Sequence, residues 1–176
     1  MTNTLQIKLL SNNATKPKRA YDSAGYDIYA AENKILEPQE KALIATDLAV
    51  NIPQGYVGLL TSRSGVSSKT HLVVETGKID AGFQGHMRIN IKNDIDISNV
   101  APTKAVLNGE RAYSLLDVSG ERIGFSTDMN CYKIQKGDRL AQLVIVPIWT
   151  PELKTVEEFE SETARGEKGF GSSGTR

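Results

Sequence analysis

One cysteine, Cys131, and two histidines, His71 and His86, are all that this chain of 176 residues offers to soft-metal or thiol chemistry. A single thiol excludes an intramolecular disulfide and a cysteine-based zinc cage, and neither histidine has the spaced partners that would complete a metal site. A reducing compartment is the expectation. Net charge is absent as well: 21 Lys and Arg balance 21 Asp and Glu, so no long-range field recommends a nucleic-acid duplex or an anionic membrane as partner. No run approaches the roughly 18 apolar residues of a membrane span, and residues 1–10 lack the charged start and apolar stretch of a secretory leader. A soluble, cytoplasmic protein that binds neither membrane nor duplex nucleic acid is expected. There is no GxxxxGK[ST] loop, no HExxH pair and no evident partner set for a serine or cysteine nucleophile, which disfavours P-loop, zincin and covalent chemistry.

Short apolar or alternating runs recur at 5–10, 26–31, 42–45, 48–52, 56–61, 72–74, 87–91 and 140–146, with turn signals such as Pro38-Gln39, Pro53-Gln54-Gly55 and Lys136-Gly137-Asp138 between them. Strands at such spacing argue for one all-β domain, a barrel or sandwich. Helix is scarce: one turn is expected at 66–69 behind Ser64-Gly65, and a second short helix at 156–162. Two regions break the rhythm. Residues 94–130 carry Asn108-Gly109 and Ser119-Gly120 between further β-like runs, the pattern of hairpins in a folded insertion. From Pro151 the chain turns acidic and then glycine-rich, as an arm leaving the core would. The organisation read here is a β core over 1–150, an inserted subdomain over 94–130, and a C-terminal arm over 151–176.

Five segments carry chemistry. Ser62-Arg63-Ser64-Gly65 follows a strand, where a guanidinium, a hydroxyl and a glycine N–H at a helix start can hold phosphate oxygens; a solvated turn uses the same residues. In residues 77–85 the apolar Ile79 sets one strand face and Asp80 the other, with Gly82 and Gly85 shaping a hairpin around Phe83. A carboxylate there can hold and deprotonate a water, or simply stabilise its own turn, and hairpin N–H and C=O groups present a fixed pattern to a small base. Gln142 lies within an apolar strand and needs partners, from a ligand or from the core. Asp27, among the apolar neighbours of 24–28, is either paired with an arginine or used. Last, residues 165–174 set Gly166, Gly169, Gly171 and Gly174 around Arg165, Lys168, Phe170, Ser172 and Ser173. That is the equipment of a phosphate-gripping lid with a ring to stack on a base, and equally the composition of a frayed terminus.

In this order, AGYDI at 24–28, SRSG at 62–65, GKIDAGFQG at 77–85, KGDRLAQL at 136–143 and RGEKGFGSSG at 165–174 resemble the five motifs of the homotrimeric deoxyuridine triphosphatases, the dUTPases. The resemblance implies a jelly-roll-like β-barrel subunit, a homotrimer with three sites at subunit contacts, and hydrolysis of dUTP to dUMP and pyrophosphate. It implies Asp80 as the general base for water attack on the α-phosphorus. It implies Arg63, Ser64, Gly65 and Gln142 around the phosphates, Ile79 and Phe83 around uracil and deoxyribose, Arg88 among the substrate contacts, and Arg165, Phe170, Gly171, Ser172 and Ser173 as the closing lid. Mg²⁺ is expected to ride on the triphosphate, with Asp27 acting on it only through water. The extra segment at 94–130 is similar to that of some phage-encoded members, which places the protein in the host cell cytosol and suggests a repressor protein as a second partner.

Phe83 stands where the family usually has tyrosine, Val74 where it often has asparagine, Glu167-Lys168 where the tail is usually smaller, and Ser173 where threonine is usual. Two rivals keep the fold and change the function. A dCTP deaminase-like enzyme would need a glutamate where Asn90 stands, and a non-catalytic regulatory protein would use the insertion.

Overall fold

The computed structural model describes residues 4–96, 98, 102–127, 129–164 and 166–167. Among these the strands run in chain order β1 (Gln6–Leu9), β2 (Tyr26–Tyr29), β3 (Lys34–Leu36), β4 (Lys41–Asn51), β5 (Tyr56–Ser62), β6 (Leu72–Val74), β7 (Gly77–Ile79), β8 (Met87–Asn93), β9 (Val106–Leu107), β10 (Glu110–Arg111), β11 (Tyr113–Leu116), β12 (Arg122–Ser126), β13 (Cys131–Ile134) and β14 (Arg139–Pro147). One short helix, α1 (Ser64–Ser67), interrupts them. The all-β expectation is met. The strands form three four-stranded sheets, β1-β4-β8-β6, β2-β14-β5-β7 and β12-β11-β13-β3, and a β9–β10 hairpin, with no pairing among the described residues that closes a barrel.

Period-two alternation makes the sheets. In β8, Met87, Ile89, Ile91 and Asn93 are buried while Arg88, Asn90 and Lys92 face out, and across the core Ile28, Leu60, Ala141 and Leu143 line the inner face of the second sheet. Each fully buried Ile or Leu contributes about 1.5–3 kcal/mol. The runs expected at 42–45 and 48–52 are one strand: Asp47 adopts φ 52, and a register shift between Ala45 and Leu48 bulges β4 without ending it. Buried Thr46 repairs the ladder there, its hydroxyl donating to the Met87 carbonyl at 2.5 Å and accepting from the Leu48 N–H at 3.2 Å.

Three local expectations meet different outcomes. Asn108 and Gly109, at φ 53 and 86, make the left-handed turn between β9 and β10. No helix forms at 156–162; that stretch is an irregular, bent and exposed segment, and Trp149, Leu153 and Phe159 are 88, 92 and 89% accessible. Residues 80–86 are not a β-hairpin: β7 pairs with β5 and β8 with β4 and β6, so the segment crosses from one sheet to another. Within 94–130, β11 runs parallel to β13 and antiparallel to β12, so these strands continue a sheet that also contains β3. No helix among the described residues is long and apolar enough to cross a membrane.

Candidate functional site

Two clusters emerge, at opposite ends of one sheet. The first is built where β2, β14 and β5 lie side by side. Asp27 pairs with Gln142, and Gln142 with Thr61, so their side chains share a face. β5 ends at Ser62 and puts Arg63 at the start of α1. The Arg63 Nε donates to Asp27 Oδ1 at 2.7 Å, Arg139 Nη1 lies 3.5 Å from Asp27 Oδ2, and Arg63 Nη1 donates to the Arg139 carbonyl at 3.3 Å. Asp27 is therefore the paired acid that its apolar neighbours call for, with a side chain only 16% accessible. Gln142 meets its need inside the chain, donating through Nε2 to the Ser62 carbonyl at 3.0 Å. Gly25 suits the close packing here: a Cβ would stand a tight 3.0 Å from the Leu143 carbonyl and 3.2 Å from Gln142 Oε1. Gly65 is the reverse case, since no described residue beyond its own helix and chain neighbours lies within 4 Å of where its Cβ would be, which leaves room for an external anion at this helix start.

The turn that aims Arg139 contains Asp138, whose Oδ2 accepts from the Gln135 N–H at 2.7 Å while its carbonyl accepts from Ala30. Burial pushes the Asp138 carboxyl above the usual aspartate range; the Gln135 hydrogen bond opposes this and nearby Asp117 adds to it.

The second cluster follows β7. Asp80 is exposed, and its carboxylate has no hydrogen bond or ion pair among the described residues. Its carbonyl accepts from the Phe83 N–H at 3.0 Å, and Gly85 lets the Phe83 ring lie close, because a Cβ there would be 2.8 Å from the ring. Sequence reasoning missed what anchors this loop. Gln84 Nε2 donates to Asn51 Oδ1 at 2.9 Å, Asn51 donates to Gln6 Oε1 at 3.0 Å, and His86 Nε2 accepts from the Asp47 N–H at 2.9 Å. These contacts span 33 to 45 residues, so no local pattern announces them. A cavity of about 520 Å³ lies beside the anchor, lined by Gln6, Lys8, Asn51 and Gln84 among others.

The remaining assignments divide. Ile79 sits in β7 opposite Gly58, and Arg88 is exposed on β8 opposite Ala45. Val74 is buried in the core, 6% accessible, so its side chain offers nothing at the surface. Asn90 donates to Glu75 Oε2 at 2.8 Å. Arg165, Phe170, Gly171, Ser172 and Ser173 lie outside the described residues.

The clusters do not meet within one chain. Asp80 follows Ile79, the partner of Gly58, whereas Arg63 follows Ser62, so the two are about 20 Å apart along the sheet at about 3.3 Å per residue.

Comparison with known proteins gives a consistent result. The sequence model of one family, described as dUTPase, matches residues 12–99 and 125–174. A probable deoxyuridine 5'-triphosphate nucleotidohydrolase of Schizosaccharomyces pombe is 34% identical over 169 residues, covering 96% of each chain. Among solved structures, the Staphylococcus bacteriophage 80alpha dUTPase with dUpNHpp is 60% identical with a TM-score of 0.84, over 98% of this chain and 99% of that one. A mutant dUTPase from phage phi11 of Staphylococcus aureus, which coordinates a structural Mg(II) ion, is 58% identical with a TM-score of 0.77, over 90% of this chain and 100% of that one.

Proposed function

The chain belongs to the dUTPase family and is a dUTP diphosphatase, and from that premise we propose how its residues divide the reaction between two copies of the chain. Asp80 orients a water and takes its proton as the oxygen bonds to the α-phosphorus; the bond from that phosphorus to the bridging oxygen breaks, pyrophosphate leaves, and dUMP remains. An exposed carboxylate with no partner among the described residues is suited to this work. Arg63, with the Ser64 hydroxyl and the Gly65 N–H, binds the phosphate oxygens, and Gln142 helps place the α-phosphate. The loop after Ile79 reads uracil through its backbone, while Phe83 packs under the deoxyribose and leaves no room for a 2′-hydroxyl. Arg88 adds a substrate contact, and Arg165, Phe170, Gly171, Ser172 and Ser173 close over base and phosphates. The observation that carries this reading is the separation of about 20 Å between Asp80 and Arg63: one chain cannot supply both groups to one α-phosphate, so a neighbouring copy must, as in a homotrimer with sites at subunit contacts.

Mg²⁺ fits as a passenger of the triphosphate. Both oxygens of Asp27 are engaged by guanidinium groups, and no cluster of three or more acidic, His or Cys groups occurs among the described residues, so Asp27 would touch the ion only through water. Bound there, the ion would neutralise phosphate charge. The activity limits uracil in DNA and supplies dUMP for dTMP synthesis.

Residues 94–130 are read as an insertion from their turn and strand pattern, and the family match is interrupted inside this stretch, between 99 and 125. Its β9–β10 hairpin exposes Val106 by 66%, and a repressor protein is the proposed partner; Val106→Asp should then weaken repressor capture while dUTP hydrolysis continues unchanged, and unchanged capture would remove the role. The enzymatic reading is tested by pyrophosphate release across the deoxynucleoside triphosphates, for the wild type and for Asp80→Asn. We expect release from dUTP alone, and a variant that binds dUTP but turns over about 10²–10⁴-fold more slowly. Ammonia from dCTP without pyrophosphate from dUTP would overturn it, as would wild-type turnover in the variant.

A further inference from the structure

We propose that Lys18 is a further phosphate-binding residue of this site, contacting the pyrophosphate end of the nucleotide. This rests on the placement of the triphosphate at Arg63 given above. Lys18 lies outside the five motif segments, in the loop that leads to β2. There it forms an isolated antiparallel bridge with Asp27, whose N–H donates to the Lys18 carbonyl at 2.7 Å. Residues opposed in this way carry their side chains on one face, with Cβ atoms about 5 Å apart. Lys18 thereby heads a polar row that continues through Asp27, Gln142 and Thr61, and on to Thr76, whose hydroxyl donates to that of Thr61 at 3.2 Å.

Lys18 is exposed, and its ammonium has no ion pair or hydrogen bond among the described residues. Asp27, the acid facing it, is already shared between Arg63 and Arg139. Two arginines hold the Asp27 carboxylate and Lys18 is opposed to it on the same face, so three cations stand here with one carboxylate in a chain whose overall charge is zero. A triphosphate carrying one Mg²⁺ has an excess of about two negative charges, and such local complementarity concentrates the anion where it is needed. Position selects the end of the nucleotide. Gln142 lies at the α-phosphate, and Lys18 stands two strand positions beyond it, at about 4.8 Å per strand, on the far side of Asp27. A monophosphate held at Gln142 does not extend that far.

The test compares Lys18→Ala and Lys18→Arg with Lys104→Ala, which removes the same charge within the insertion. For each, kcat and KM for dUTP and the inhibition constant of dUMP are measured at low and high salt, with Arg63→Ala as reference. Expected are a fall of about tenfold in kcat/KM for Lys18→Ala, carried chiefly by KM and narrowing at high salt, dUMP inhibition as in the wild type, and recovery in Lys18→Arg. An unchanged KM in Lys18→Ala, a change equal to that of Lys104→Ala, or an equal weakening of dUMP overturns the proposal. If Arg63→Ala raises KM and Lys18→Ala does not, only the assignment of Lys18 falls; if neither does, the placement of the triphosphate falls with it.

Discussion

Two aspartates in the motif segments have opposite surroundings, and this separates their roles. Asp27 has both oxygens on arginines, whereas Asp80 has neither on a described residue, so Asp80 is the carboxylate open to take a proton from water, while Asp27 fixes the two guanidinium groups in place. A third, Asp138, makes a stability prediction. Burial lifts its folded pKa above the unfolded one, so the folded chain holds the proton longer; the contribution is fully present below the unfolded value and is lost as pH rises through the folded value. Asp138→Asn keeps an acceptor for the Gln135 N–H and removes the charge. Its urea midpoint should equal or slightly exceed that of the wild type at pH 7, with the difference vanishing as the pH falls below the ordinary aspartate value of 3.8; a lower midpoint at pH 7 would show that the charge itself stabilises the turn. At this scale the sequence was partly legible. An acid among apolar residues 24–28 announced a pairing, but Arg63 lies 36 residues away, and only the strand register brings it into reach.

At the scale of elements, legibility followed local chemistry. Asn108-Gly109 made its turn because the left-handed backbone that this turn demands is cheap for those two residues. The helix expected at 156–162 did not form: Glu158 and Glu162 repel at i,i+4, as do Glu157 and Glu160 at i,i+3, and the segment has no packed face to compensate. The hairpin expected at 80–86 failed for a different reason, because glycines mark a turn without saying which strands pair across it. The tip of the β11–β12 hairpin shows a contact invisible in sequence. Gly120, at φ 83, approaches so near to the end of α1 that a Cβ would stand 2.4 Å from the Lys69 carbonyl. Gly120→Ala should therefore cost about 1–3 kcal/mol from backbone strain and displacement, lowering the melting temperature by about 3–10 °C. Gly77, which has no positive φ and whose Cβ would find its nearest neighbour at 3.8 Å, is the control: Gly77→Ala should change it by less than about 2 °C. Equal calorimetric shifts in the two variants would mean that the 119–120 turn is not pressed against α1.

For the whole molecule, the separation of Asp80 from Arg63 makes assembly a requirement of the proposed mechanism. The motifs were readable one by one, yet their order along the chain says nothing about which copy supplies each group; register does, because β7 and the α1 end of β5 point to opposite ends of one sheet. The consequence is complementation. In the proposed division of roles Asp80→Asn lacks the base and Arg63→Ala lacks the phosphate fork, so each variant alone should be nearly inactive. When equal amounts are unfolded together and refolded, a site is complete wherever its base comes from an Arg63→Ala chain and its phosphate fork from an Asp80→Asn chain. Random assembly makes that combination at about one site in four, so pyrophosphate release should recover to about a quarter of the wild-type rate. The same variants refolded separately and then mixed should remain inactive for as long as subunits do not exchange. A base and fork drawn from the same chain could not be restored by mixing, because every chain in the mixture lacks one of them; recovery no greater than the sum of the separate variants would therefore refute a site shared between copies.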